Sequence, residues 1–333
     1  MNSTKFFLNP RTGLLRAGWR AAIFIALLNA PYLIPRLFLK PAEKTSAAVF
    51  DVSFEMILTY ALLIAWVVAV SWICLRFLEG LRLSALGFAP HEGWLSDVLK
   101  GCLTGALMIV SVVTLQIVGG ARLNCNPMWC GEQGINWVGV WVVMVEVTGA
   151  LALLILAGAF EELVFRGYAF QTLLRGAPAI VPILLFSIYF GVAHWDNQNR
   201  TLFSTTNTAL AGIWLSIAYL KTRSLWFPTA LHFSWNWMMG AFFGVPVSGQ
   251  RIPQHPILVS SSGEPIWLTG GNYGSEGGAA ATVTLIIATA VIWRARWLSV
   301  SPEMSAVFQE RTPNRRGGAE PGGGANFGLR SED

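Results

Sequence analysis

Long apolar segments separated by shorter polar stretches make up most of the chain. Eight of them stand out, at roughly 20–39, 56–78, 98–118, 138–174, 179–195, 203–220, 225–243 and 278–297. Most approach the ~20 residues that a helix needs to cross ~30 Å of hydrocarbon. Backbone N–H and C=O groups must be paired within the protein inside a bilayer, so a spanning segment has to be helical. The pattern predicts an all-α, polytopic transmembrane bundle of about eight spans.

Composition supports this prediction and narrows the partners. The chain is 54% hydrophobic and 12% charged, whereas a soluble domain carries about 25% charged residues. Its net charge is +5, without a concentrated block of Lys and Arg. We therefore expect membrane lipid as a partner and predict no nucleic-acid binding.

The distribution of Lys and Arg around the segments predicts the orientation. With the N-terminus inside, twelve basic residues flank the inner ends of the segments and six flank the outer ends. Positive charge favours the cytoplasmic side. We expect a multi-pass protein of the cell or inner membrane with both termini in the cytoplasm. The loop with Cys125 and Cys130 would then face outward, where a disulfide is plausible.

Charged residues interrupt the fourth segment, which reads TGALALLILAGAFEELVFRGYAF around Glu161, Glu162 and Arg166. A charge at the centre of a bilayer costs ~2.5–3.5 kcal/mol on insertion scales, so such residues face the protein interior and mark function. Glu162 and Arg166 share a helix face in the favourable order for an ion pair. Glu161 is rotated ~100° away, so it is left available as a general base.

Polar residues in the fifth and seventh segments can converge with Glu161. At 1.5 Å per residue, Glu161 and His194 both lie ~21–23 Å from the turn that joins their segments, so they share one level. His232 and Asn236 share a face of the seventh segment, but counting from Leu225 places them only ~10 and ~16 Å deep. A carboxylate, two imidazoles and an amide predict a polar cavity inside the membrane that can hydrolyse a carbonyl compound.

These residues resemble the motifs of the CAAX protease and bacteriocin-processing family of intramembrane peptidases, which includes the type II CAAX prenyl endopeptidase. The first motif stands as Glu161-Glu162-x-x-x-Arg166, the second as Phe190-x-x-x-His194 and the third as His232-x-x-x-Asn236. The resemblance implies an eight-helix bundle with a cavity open to the cytoplasm. It also implies that Glu161 activates a water with help from His194, and that His232 and Asn236 form an oxyanion hole.

The resemblance leaves the need for a metal open. Glu161, His194 and His232 together match the His₂Glu ligand set of catalytic zinc. Asn236 beside His232 suits an oxyanion better, so we favour a site without a cofactor and keep Zn²⁺ as the alternative.

The predicted organisation combines the segments with this resemblance. It comprises a cytoplasmic segment 1–19, transmembrane helices 1–3 with their loops at 20–136, CAAX protease-like catalytic helices 4–7 at 137–243, an extracytoplasmic Gly-rich loop at 244–277, a last transmembrane helix at 278–300, and a disordered cytoplasmic tail at 301–333. The Gly-rich loop and the tail are expected to lie outside the bundle.

Three functions remain open on these residues. The first is an endopeptidase acting on membrane-associated peptides or proteins, including lipid-modified, CAAX-like ones. The second is a non-proteolytic scaffold or a bacteriocin-immunity-type protein in which His232 and Asn236 only join helices by hydrogen bonds. The third is a transporter with a Glu/His proton relay, although the chain has no visible inverted repeat. His91 and His255 are interpreted as solvated loop residues, and Glu146 has no evident role.

Overall fold

The computed structural model of the protein describes residues 6–10, 12–38, 52–132, 134–261 and 264–309. It is mostly helical, which confirms the predicted class. The α-helices are α1 (Ala17–Phe38), α2 (Phe54–Ile73), α3 (Trp94–Val118), α4 (Trp137–Arg166), α5 (Tyr168–Leu174), α6 (Ile180–Ala193), α7 (Leu202–Thr222), α8 (Trp226–Trp237), α9 (Ile266–Thr269), α10 (Ala279–Arg294) and α11 (Pro302–Gln309). Single π-helical turns, Cys74–Glu79 and Met238–Phe242, extend α2 and α8.

Each of the eight predicted apolar segments overlaps one of these helices, except the fourth, which overlaps two, α4 and α5. Within the described residues, three helical stretches are long and apolar enough to cross a membrane: Phe54–Glu79, Trp94–Val118 and Trp137–Leu174. Helices α6 and α10 are apolar but shorter. The helical architecture is therefore established, and the number of eight spans stays a prediction.

A sharp break at Gly167 divides the fourth segment into α4 and α5. Its backbone turns at φ −75° and ψ −137°, so the helix does not continue. A Cβ atom at this position would collide with the carbonyl oxygen of Leu163. Glycine therefore allows the chain to turn directly after Arg166, at the end of the charged motif.

Two glycines one turn apart let α3 and α8 pack with their backbones in contact. A Cβ atom at Gly101 would lie 2.6 Å from the carbonyl oxygen of Phe227, and one at Gly105 would lie 2.6 Å from that of Leu231. Small residues at this spacing are typical of close helix contacts in membranes. The contact fixes the position of α8, which carries His232 and Asn236.

Helices α6 and α7 approach each other in the same way. A Cβ atom at Gly212 of α7 would lie 2.7 Å from the Cα atom of Ser187 of α6. The same part of α7 presents its Gly212 carbonyl oxygen to the interior, where it accepts a hydrogen bond from Arg166. This packing holds the end of α6, and therefore His194, next to α4.

The described residues of the segment 244–277 pack against the bundle, which corrects the prediction that the segment lies outside. Strand β4 (Leu258–Ser261) pairs antiparallel with β1 (Arg122–Cys125), with Arg122 opposite Ser261, and β2 (Cys130–Gly131) pairs with β3 (Gly134–Ile135). Val247, Ile252 and Tyr273 of this segment are buried. Their side chains are buried by packing against the bundle. The high glycine content of the segment gives no indication of this burial in the sequence.

The start of the predicted disordered tail also needs correction. Helix α11 occupies Pro302–Gln309, and its Met304 is only 1% exposed. Residues 310–333 lie outside the described residues. Cys125 and Cys130 are free thiols in this structure.

A buried ionic cluster joins α1, α2 and α5. Glu79, whose side chain is fully buried, lies 2.8 Å from Arg20 and 2.7 Å from Arg175. Thr172 donates a further hydrogen bond of 2.8 Å to the same carboxylate. Two cations and a hydroxyl group therefore compensate one buried carboxylate.

Two histidines interpreted as solvated have partners. His91 is 9% exposed, and its Nε2 lies 3.3 Å from Ser224 Oγ and 3.6 Å from Asp97 Oδ2. His255 hydrogen-bonds through Nδ1 to Glu146 at 2.8 Å, and its backbone N–H donates to the same carboxylate at 2.9 Å. Folding of their loops onto the helices, which the local sequence does not reveal, brings these groups together.

Candidate active site

The two adjacent carboxylates of α4 have different environments. The side chain of Glu162 is fully buried, and Arg166 Nη1 donates to its Oε1 at 3.1 Å. The side chain of Glu161 is 23% exposed, and its Oε2 accepts no hydrogen bond from any residue that the structure describes. The geometry separates a compensated carboxylate from one that is available for chemistry.

Arg166 is anchored on several sides. Its Nη2 donates to the carbonyl oxygen of Gly212 at 3.0 Å, and its guanidinium lies 4.8 Å from the centre of the Phe190 ring. A guanidinium over an aromatic face gains cation–π attraction, most of all where water is excluded. These contacts fix the position of the Arg166 guanidinium, which forms the ion pair with Glu162.

His232 lies between the two carboxylates. Its Nδ1 is 3.0 Å from Glu162 Oε1, and its Nε2 is 3.8 Å from Glu161 Oε2. An ionised carboxylate only accepts, so Nδ1 carries the proton of this hydrogen bond. Counting residues from Leu225 makes His232 shallower than Glu161, whereas the structure places the two side chains at one level. The close contact with α3 sets the level of α8, and the start of α8 in the sequence does not reveal it.

His194 follows the last turn of α6. Its Nδ1 donates to the carbonyl oxygen of Phe190 at 2.8 Å. In the neutral ring Nε2 is then the acceptor. The Phe190 ring lies 4.7 Å from the His194 ring and 6.0 Å from the His232 ring, measured between centroids. One aromatic residue thus packs against both imidazoles and Arg166.

These groups surround a cavity of about 470 Å³. Glu161, His194, His232 and Asn236 all line it. Glu162 and Arg166 lie behind the wall, since they are buried and absent from its lining. The arrangement brings a base, two imidazoles and an amide to one enclosed space, which is the set that hydrolysis of a carbonyl compound requires.

The alternative Zn²⁺ site would use Glu161, His194 and His232. Within the described ranges, no group of three or more His, Cys, Asp or Glu side chains lies close enough together to hold a metal ion. Nδ1 of each histidine is hydrogen-bonded to an oxygen atom, which is also usual for histidines that bind a metal through Nε2. Because the three groups are not gathered, we derive no step through a metal.

Several residues of the cavity are not evident from the sequence. Tyr60 of α2 lines it and packs against Phe160 at 6.0 Å between ring centroids. A hydroxyl group within an apolar segment is a signal that points to Tyr60. Ser248, Gln250 and Glu276 also line it, but they come from the Gly-rich segment, whose polar residues look solvated in the sequence.

The comparisons with known proteins agree with the motifs. Residues 143–238 match the family model described as Type II CAAX prenyl endopeptidase Rce1-like. This confirms the resemblance for the region that contains the three motifs. No curated protein and no solved structure matches the chain. Together with the three apolar helices of membrane length, the match indicates an integral membrane protein with a peptidase-like region.

Proposed function

We propose that the protein is an intramembrane endopeptidase that hydrolyses peptide bonds of membrane-associated peptides or proteins, including lipid-modified, CAAX-like ones. The observation that carries the proposal is the single cavity that Glu161, His194, His232 and Asn236 line together. These four residues lie within the region that matches the endopeptidase family. A scaffold has no need to keep a carboxylate open to a cavity beside one that an arginine compensates.

Glu161 is the proposed general base. It takes a proton from water as the water oxygen attacks the carbonyl carbon of the substrate, which forms a tetrahedral oxyanion. The C–N bond then breaks, and the proton passes from Glu161 to the leaving nitrogen. His194 assists this transfer, because the acceptor nitrogen of its neutral ring is available for a proton.

Asn236 and His232 are the proposed donors to the oxyanion. The Asn236 amide donates in every protonation state of the site. His232 already uses its Nδ1 proton on Glu162, so its Nε2 donates only when the ring carries both protons. Asn236 is therefore the donor that does not depend on a second proton, and Glu162 with Arg166 orients His232.

The proposed setting is a multi-pass protein of the cell or inner membrane with both termini in the cytoplasm. Three helices of membrane length support an integral location. The partners are membrane lipid and a peptide or protein substrate at the membrane, without nucleic acid.

Cleavage of a library of membrane-anchored peptides by the purified protein tests the proposal. We expect the wild-type protein to cleave and Glu161→Gln to be inactive. The matched control is Glu146→Gln, on the same helix but outside the lining of the cavity, and it should retain activity. A lane with a zinc chelator should cleave like the untreated lane, and loss of activity there would favour the zinc alternative. Equal cleavage by wild type and Glu161→Gln, or none by a folded wild type, would refute the proposal and favour the scaffold.

A further inference from the structure

A second carboxylate reaches the cavity from the Gly-rich segment. Glu276 Oε1 accepts a hydrogen bond from Trp235 Nε1 at 3.2 Å. Its Oε2 accepts from the backbone N–H of Ser248 at 2.9 Å and from the Ser248 hydroxyl at 2.5 Å. All three partners are neutral donors. They suit an ionised carboxylate, but they bring no positive charge to it.

The described lining of the cavity contains two carboxylates and no permanently charged cation. Glu161 and Glu276 line it, and none of its described lining residues is Lys or Arg. The structure forms no ion pair with Glu276 among the residues it describes. Neighbouring Tyr273 responds to this field: burial raises the pKa of its hydroxyl group, and the charge of Glu276 raises it further.

Glu276 has capacity for one more donor. A carboxylate offers about four lone-pair positions, and three are occupied, with only Trp235 on Oε1. A cationic group at the free position would form a charge-assisted hydrogen bond, which is shorter and stronger than a neutral one.

An unused donor in the same part of the cavity points independently to a polar ligand. Trp214 is 1% exposed and lines the cavity, and its ring lies 5.5 Å from that of Trp235 between centroids. Its Nε1 has no hydrogen-bond partner in the described part of the chain. Buried donors are rarely left unpaired, and a carbonyl group of a peptide substrate would satisfy this one.

We propose that Glu276 is a specificity-determining residue that binds a lysine or arginine side chain of the peptide substrate, while Trp214 donates to a carbonyl oxygen of the same peptide. The inference rests on the proposed function, because it names the class of peptide that the cavity accepts. A cationic side chain restores charge balance in the cavity, whereas an acidic one adds repulsion to Glu161 and Glu276. Peptides with Lys or Arg near the scissile bond are therefore preferred over neutral and acidic ones.

The test uses otherwise identical membrane-anchored peptides with Lys, norleucine or Glu scanned through each position beside the scissile bond. Binding is measured in Glu161→Gln protein, which leaves the peptides intact, and kcat/KM is measured in the wild type. At one position the Lys peptide should bind about 10-fold tighter than the norleucine peptide, the scale of one hydrogen bond to a charged group. Glu276→Gln should abolish this ratio, and Glu276→Asp should retain part of it.

Glu264→Gln is the matched control, since this exposed residue belongs to the same segment and does not line the cavity. It should leave the ratio unchanged. Equal binding of Lys and norleucine peptides at every position would overturn the inference, and so would a ratio that survives in Glu276→Gln. An equal loss for all peptides in Glu276→Gln would identify Glu276 as a clamp for the Ser248 turn only. Absence of binding by any peptide would also overturn it.

The two proposals fail separately. A preference for Lys in binding, without cleavage by the wild type, supports the role of Glu276 and contradicts the peptidase. Cleavage without a preference for Lys supports the peptidase and contradicts the role of Glu276.

Discussion

Two clusters of buried charge in the described part of the chain differ in how their carboxylates are compensated. Glu79 has Arg20, Arg175 and Thr172 around a fully buried side chain. At the cavity, Arg166 compensates Glu162, while Glu161 beside it has no Lys or Arg partner within the described contacts. Burial of charge is costly in both places.

Acidic residues in an apolar helix are therefore of two kinds, which differ in their capacity to bind a ligand. A carboxylate that two cations and a hydroxyl group surround joins helices and has little capacity left for a ligand. A carboxylate that faces a cavity retains that capacity when the nearest arginine is paired with a neighbouring carboxylate.

Glu161→Gln should have the largest effect, and on activity alone. Loss of a general base lowers kcat about 10²- to 10⁴-fold. The free energy of unfolding should not fall, because the amide removes a charge that has no Lys or Arg partner. Single-turnover cleavage and thermal unfolding in detergent measure the two quantities. A loss of stability as large as that of Glu79→Gln would break the comparison.

Glu79→Gln should show the opposite behaviour. It leaves the buried Arg20 and the partly buried Arg175 without their carboxylate, which costs about 3–5 kcal/mol of unfolding free energy. The kcat of the folded fraction should stay at the wild-type value. Glu55→Gln, exposed on the same helix, is the control and should stay within about 0.5 kcal/mol. A stable but inactive Glu79→Gln protein would contradict the assignment.

Asn236→Ala should lower kcat about 10²- to 10³-fold, the effect of removing one donor to an oxyanion. KM should change much less, because this donor acts mainly in the transition state. Asn29→Ala is a suitable control, since Asn29 also lines the cavity but donates to the Ile25 carbonyl oxygen. A rise in KM at constant kcat would assign Asn236 to substrate binding instead.

His255→Ala should have the smallest effect. The side chains of His255 and Glu146 are 38% and 27% exposed, and solvent screens such pairs to about 1 kcal/mol or less. Thermal unfolding at low and high salt measures this loss, which should shrink as salt increases. If the loss of unfolding free energy were independent of salt and close to that of Glu79→Gln, solvent exposure would not explain how much each cluster contributes to stability.

The sequence predicts most of the helical frame and part of the site. Apolar segments predict the helices, and the spacing of Glu162 and Arg166 indicates their shared face. The level of His232 was not predictable, because residue counting assumes that neighbouring helices start at a common depth. The close backbone contact at Gly101 and Gly105 sets that depth.

The packing of the Gly-rich segment against the bundle is not evident from the sequence, for a related reason. Its sequence has the composition of a solvated loop, and Glu276 within GSEGG looks like a surface residue. The contacts that bring it to the cavity are backbone approaches, such as that of Gly249 to the Gln198 carbonyl oxygen. Such approaches leave no periodic pattern in the sequence, so the position of Glu276 in the lining of the cavity was not predictable.

The contact between α3 and α8 implies that the tolerance of a position to mutation does not depend simply on its distance from the proposed catalytic residues. Gly101 and Gly105 do not line the cavity, yet any side chain there must displace the helix that carries His232 and Asn236. A saturation scan should therefore find both positions nearly as restricted as the polar residues of the site. By contrast, Leu99 and Leu103 of α3 point outward and are 69% and 62% exposed. These two positions should accept most apolar substitutions.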